Sequence, residues 1–207
     1  MTGMHTPSMV ITPTREDDGE LSAMIADAFA DLPPSRYLVP DENQRRDVLT
    51  RTFWLDLEDL RESGRIIRAS AGHEAAALWT YHVTQLEPEP ELDARLKQAA
   101  GGFAPRFAAF YSALDTRRRE LLGDRAHWHL WVLAVRPDKQ GQGFASLLVR
   151  DQLARIDTIG EPTYLEAATE ELCEVYRHLG FQDAGDPIVL DDDNTRMFPM
   201  LHEPAYL

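Results

Sequence analysis

The stretch Val135-Arg136-Pro137-Asp138-Lys139-Gln140-Gly141-Gln142-Gly143-Phe144-Ala145 separates two periodicities. Before it, His127 to Val135 is almost wholly apolar or aromatic and rich in β-formers, the pattern of a strand buried on both faces. After it, Ala145, Val149, Leu153 and Ile156 recur at helical spacing, with Leu148 alongside. A turn with two glycines therefore joins a buried strand to the first turn of an amphipathic helix. Free backbone N–H groups at the positive end of a helix dipole form an anion site. Gly141 and Gly143 carry no Cβ to obstruct a phosphate. Taken alone this is an ordinary strand-to-helix turn, and the flanking sequence has to sharpen it.

Working outward, Met9 to Thr12 reads as a short strand and Glu16 to Ala30 as a helix with Leu21, Met24, Ile25, Ala28 and Phe29 on one face. Leu32 to Pro40 reads as a proline-rich, extended break. Asp41 opens a second helix with the stripe Leu49, Phe53, Leu57 and Leu60, ended by Gly64. Arg65 to Ser70 and Glu74 to Val83 form a hairpin around Ala71-Gly72-His73, and Glu87 to Pro90 is a surface linker. Leu92 to Leu122 is helical, interrupted near Gly101-Gly102, with Phe103, Phe107, Phe110, Tyr111 and Leu114 on its apolar face. Tyr164 to Ala168 is a short strand, Glu170 to His178 a helix with Gly180 as C-cap, and two extended runs close the chain near Leu201. The expectation is one mixed α/β domain over residues 9–207 behind a disordered lead-in of residues 1–8.

Gln140-Gly-Gln-Gly-Phe-Ala145 fits Q/R-x-x-G-x-G/A, and Val175-Tyr-Arg-His-Leu-Gly-Phe181 resembles an LYxRLGF segment at the expected downstream distance. Both resemble the GCN5-related N-acetyltransferase (GNAT) superfamily, and the His-Trp-x-Leu strand is similar to puromycin-type acetyltransferases. The resemblance is close in the C-terminal half and rests on element order in the N-terminal half. It implies an α/β GNAT fold with a partly splayed central sheet flanked by helices. It implies acetyl-CoA as cosubstrate, its pantetheine arm in the wedge between the strands at 128–135 and 164–168. Backbone groups of Leu133 and Val135, with Ala134 between them, would take that arm as an added strand. Gln140, Gly141, Gln142, Gly143, Phe144, Ala145 and Ser146 would hold the pyrophosphate. Tyr176 falls on the family's general-acid tyrosine, beside the cofactor; the alternative is a packed tyrosine with a satisfied hydroxyl. Where the family often carries Asn four residues before that tyrosine, this chain has Leu172.

An amine attacking a thioester needs in-line placement, donors for the oxyanion, a base, and an acid for the leaving thiolate. A phenol is protonated at neutral pH and can donate to sulfur. The base stays open between Glu166, alternating toward the cleft on its strand, and His129 on the other lip of the wedge; water is a third choice. The tryptophans Trp128 and Trp131 read as core, Cys173 as a small core residue, and Asp191 to Asn194 as a solvated loop, so no metal is expected.

The chain has 207 residues, a formal net charge of −14 and one cysteine. That charge repels nucleic acid and anionic membranes. It favours a cationic small molecule if the acids line the mouth of a cleft, the alternative being a solvated surface that keeps the protein in solution. The lone cysteine excludes an intrachain disulfide. With no signal-peptide pattern and no bilayer-length apolar run, it implies the cytoplasm. The expected activity is acetyl transfer to a primary amine of a small molecule, by a monomer or homodimer. The competing reading is a CoA-binding module without catalysis.

Overall fold

The computed structural model describes residues 9–83, 90–190 and 195–204. The expected lead-in at 1–8, most of the linker at 87–90 and the loop at 191–194 lie outside these. Among the described residues, eight strands form one open mixed sheet. They are β1 (Val10–Ile11), β2 (Ile66–Ser70), β3 (Ala75–His82), β4 (His127–Val135), β5 (Thr163–Ala167), β6 (Gln182–Asp183), β7 (Ile188–Val189) and β8 (Arg196–His202). The order is β1-β2-β3-β4-β5-β8-β6, and β7 adds to β8. The β4–β5 pair is parallel, and every other pair is antiparallel.

Alternation along β3 explains the two layers. Ala76 and Leu78 face a core built with α1 (Asp18–Phe29), α2 (Pro33–Leu38), α3 (Glu42–Glu62) and α5 (Ala104–Leu122). Ala75, Ala77 and Trp79 face a second core with α6 (Phe144–Asp157) and α7 (Glu170–His178). The α6 stripe is fully formed: Leu148, Val149, Leu153 and Ile156 are buried, each contributing roughly 1.5–3 kcal/mol. α4 (Pro90–Ala100) precedes a 3-10 turn at Gly101–Phe103, which is the expected interruption before α5.

The extended break expected at 32–40 is instead the helix α2. Leu32 is its extended N-cap, and Pro33 and Pro34 fall in the first turn, where no intrahelical N–H bond is lost. The buried Arg45 guanidinium closes the far end, donating to the carbonyls of Val39 at 2.7 Å and Pro40 at 3.1 Å. Asp41 caps α3 by accepting from the Asn43 amide. Arg61 of α3 pairs with the buried Asp18 carboxylate and clamps α1 against it. The chain's end holds three extended runs, not two, because Gln182–Asp183 and Ile188–Val189 pair separately with β8.

Two irregularities open the sheet. β4 and β5 pair only at Trp128–Thr163 and His129–Tyr164, and beyond these they part. In β4 an extra residue, Trp131, stands between the partners of Leu78 and Trp79, a β-bulge that shifts the register. The two together position the site.

Candidate active site

The bulge decides what the wedge offers. The Arg136 amide donates to the Glu74 carbonyl, so residues 134 and 136 direct their backbone groups toward β3. Leu133 and Val135 therefore turn theirs to the open side, where β5 has departed. That is the edge the sequence reading assigned to a pantetheine arm. The same bulge sets Trp131, Val132 and Ala134 against the α1–α5 core while Leu133 and Val135 pack toward α6. Trp131 was expected to be core only; it instead forms a wall of the cavity described below, because the inserted residue turns it out of the regular alternation.

At the strand's end a 3-10 turn, Pro137–Lys139, leads into the glycine turn. Gly141 (φ 73°) and Gly143 (φ 88°) are both left-handed, and Gly143 is the N-cap of α6. A Cβ built on either meets no atom within 4 Å. The glycines are therefore required by the backbone, and the space they leave is open to a ligand. Gln140 donates toward the Val135 carbonyl at 3.4 Å, and Gln142 toward the Asp138 carbonyl at 3.2 Å. The Gln142 side chain is thus spent inside the loop and does not line the cavity. Lys139, which the sequence reading passed over, does line it.

One cavity of about 740 Å³ runs from this loop, along the wedge, into the space enclosed by α1, α2, α3 and α5. Leu133, Ala134, Val135, Gln140, Gly141, Gly143, Phe144, Ala145, Ser146, Glu166 and Tyr176 all line it, brought together from four elements. Glu166 and His129, alternatives in the sequence, form one hydrogen-bonded pair: His129 Nε2 donates to Glu166 Oε2 at 2.9 Å. Their side chains are only 4% and 6% exposed. The other oxygen, Oε1 of Glu166, is buried without a partner. Of the two, Glu166 borders the cavity, and His129 stands behind it among the rings of His82, Trp131 and Tyr164. Burial, and then the Glu166 charge beside it, keeps the Tyr164 phenol firmly protonated.

Tyr176 projects from α7, which Thr169 caps by accepting from the Leu172 amide. Its ring packs edge-on against Phe181, 5.8 Å between centroids, and burial raises its phenol above the ordinary value. Leu172 and Val175 add an apolar wall beside it. Cys173 faces away into the core: its thiol donates to the Thr169 carbonyl, and burial raises its pKa. The far chamber is lined by aromatic rings and carries Asp56, which the sequence reading did not single out. Its signal was available: position 56 lies three residues after Phe53 and four before Leu60, a carboxylate on a core-facing stripe. Among the described residues, no cluster of three or more His, Cys, Asp or Glu could hold a metal ion, and no helix is long and apolar enough to cross a membrane.

Residues 110–203 match the family model described as an acetyltransferase (GNAT) domain. Over nearly its whole length the chain is similar to a crystal structure from Corynebacterium glutamicum, titled histone acetyltransferase HPA2 and related acetyltransferase. The identity is 27% and the TM-score 0.66, over 98% of this chain and 99% of that one. Arylalkylamine N-acetyltransferase 2 from Aedes aegypti shares the fold at 16% identity and TM-score 0.61, over 94% of this chain and 98% of that one. An agmatine N-acetyltransferase shares it at 13% and 0.58, over 94% and 98%. Residues 110–203, which hold the splayed β4–β5 pair and the glycine turn, thus match the GNAT acetyltransferase domain, and over nearly its whole length the chain is similar in fold to acetyltransferase structures.

Proposed function

We propose that residues 9–207 act as one cytoplasmic enzyme domain that transfers the acetyl group of acetyl-CoA to a primary amine of a small molecule, by direct attack with both bound. The observation that carries this is Glu166: a buried carboxylate with one unpartnered oxygen, at the point where the wedge meets the aromatic chamber. An unsatisfied acceptor there awaits a donor, and an amine poised for attack is one.

The chain's groups fit the cosubstrate. Outward backbone groups of Leu133 and Val135 match an extended amide arm. Backbone N–H groups from Gly141 to Ala145, at the start of α6 with Lys139 close by, match a pyrophosphate. Ser146 adds a hydroxyl at the same helix end. Acetyl-CoA supplies an activated acetyl thioester. Glu166 takes the amine's proton and His129 orients and stabilises the carboxylate; the pair acts as a unit. The Leu133 N–H donates to the carbonyl oxygen as it gains charge. Tyr176, kept protonated by burial, returns a proton to the thiolate.

The test is thiol release from acetyl-CoA over a panel of polyamines, aminoglycosides, aminonucleosides, arylalkylamines and peptides. Amine-dependent release is expected, and Glu166→Gln should lower turnover roughly 10²-fold while acetyl-CoA affinity holds. Tight acetyl-CoA binding with no amine-dependent release would favour the non-catalytic module.

A further inference from the structure

Asp56 has no role in the chemistry above, yet it occupies a costly place. It is the only charged side chain among the described residues that α1, α2, α3 and α5 contribute to the cavity wall. Around it stand Phe53, Phe107, Phe110, Tyr111 and Trp131. Among the described residues, the hydrogen bond to it is long, 3.4 Å from the Trp131 indole N–H. The Tyr111 and Trp131 rings contact each other at 5.4 Å, and Trp131 in turn touches His129 at 5.5 Å. One indole therefore separates Asp56 from the Glu166–His129 pair. A carboxylate so weakly solvated is a liability to the fold unless a cation completes it. Aromatic faces around it favour a cation and accept an apolar body.

We infer that Asp56 and the rings of Tyr111 and Trp131 form a cation subsite that captures the acceptor in its ammonium form, on an aromatic or bulky apolar body, one indole short of the Glu166 position to which the amine then moves to lose its proton. This deepens the acetyltransferase reading and rests on it for the word acceptor; the binding claim stands alone. Burial raises the Asp56 carboxyl to about 7, opposed by the Trp131 N–H and reinforced by Asp59 on the same helix. Tyr111 faces it from α5, and Trp131 from β4 with the His129–Glu166 pair behind. An alkylammonium stays charged well above this pH, near ~10. Its binding should therefore strengthen as pH rises through about 7.

The experiment is calorimetry on the full chain saturated with CoA, which has no acetyl group to transfer. The ligands are 2-phenylethylamine and its neutral isostere 2-phenylethanol. Wild type should prefer the amine at pH 8 and lose most of that preference at pH 5.5. Asp56→Asn should weaken the amine at least ~10-fold, leave the alcohol within about two-fold, and be flat with pH. Glu166→Gln should keep the wild-type pH dependence. An amine that binds Asp56→Asn as tightly as wild type, or a preference indifferent to pH in wild type, would overturn the subsite. If the preference is found but no amine is acetylated, the acetyltransferase reading fails and the subsite stands.

Discussion

Tyr176 and Asp56 show how burial sets protonation in opposite service. Burial holds the Tyr176 phenol in its acid form, the form a proton donor to sulfur needs. Tyr176→Phe removes one hydroxyl and keeps the packing on Phe181. Turnover should fall roughly 10²-fold with acetyl-CoA affinity unchanged, read from steady-state kinetics and calorimetry. A rise in the Michaelis constant alone would assign the hydroxyl to binding. For Asp56 the sign runs the other way. Its folded pKa is raised to about 7 above an ordinary 3.8, so the folded state gains from its proton below 3.8. That gain is lost as pH climbs through about 7. Asp56→Asn should then raise the melting temperature of the unliganded protein at pH 8 by at least ~2 °C, with little change at pH 4. A lower melting temperature at pH 8 would make Asp56 a structural residue.

Among the elements, the β4–α6 turn was legible because its residues are consecutive: strand, glycines and helix stripe lie in one run of sequence. α2 was misread because two prolines break a helix in its middle but suit its first turn. The bulge at Trp131 leaves no mark in the sequence, since it arises from pairing with Leu78 and Trp79 some fifty residues earlier. Asp56 did leave a mark, a carboxylate on a core-facing stripe, but the cavity partner that gives it meaning, Trp131, is 75 residues away. The Glu166–His129 pair could be reduced to two candidates but not joined, because only the parallel pairing of β4 with β5 at His129–Tyr164 brings them together. The turn itself is testable against a matched control. Gly143 and Gly160 both have positive φ and open space where a Cβ would point. Valine at either costs backbone strain of roughly 1–2 kcal/mol. Only Gly143→Val should also lose acetyl-CoA affinity, at least ~10-fold by calorimetry. Equal affinities in the two variants would remove the phosphates from this loop.

Across the whole molecule, histidines couple the sheet to pH. His82 of β3 and His127 of β4 are paired neighbours, stacked at 5.0 Å and buried. Burial lowers His82 to about 2, with the charges of His129 and Arg118 adding to it. It lowers His127 to about 4, against a bond to the Arg125 carbonyl. Both are neutral when folded, while the unfolded chain binds protons near ~6.5. Stability is thus complete above ~6.5 and declines as pH falls from there toward about 4. Thermal melts from pH 8 to 5 should show this decline beginning well above the carboxylate range. His127→Gln should remove roughly half of it, leaving the part that His82 contributes; an unchanged slope would place the acid sensitivity elsewhere.

Under the proposed function the same architecture would join a cosubstrate wedge to an acceptor chamber through one buried carboxylate, Glu166. The most direct test of that junction follows the acetyl group itself. Acetyl-CoA carrying an isotope-labelled acetyl group is mixed with enzyme and an arylalkylamine in a single turnover, and all species are read by mass spectrometry. The label should pass to the amine nitrogen, with one free thiol per acetylated amine and none on the protein. Label retained on acetyl-CoA with every amine tried, or found on the polypeptide, would contradict direct transfer across the Glu166 junction.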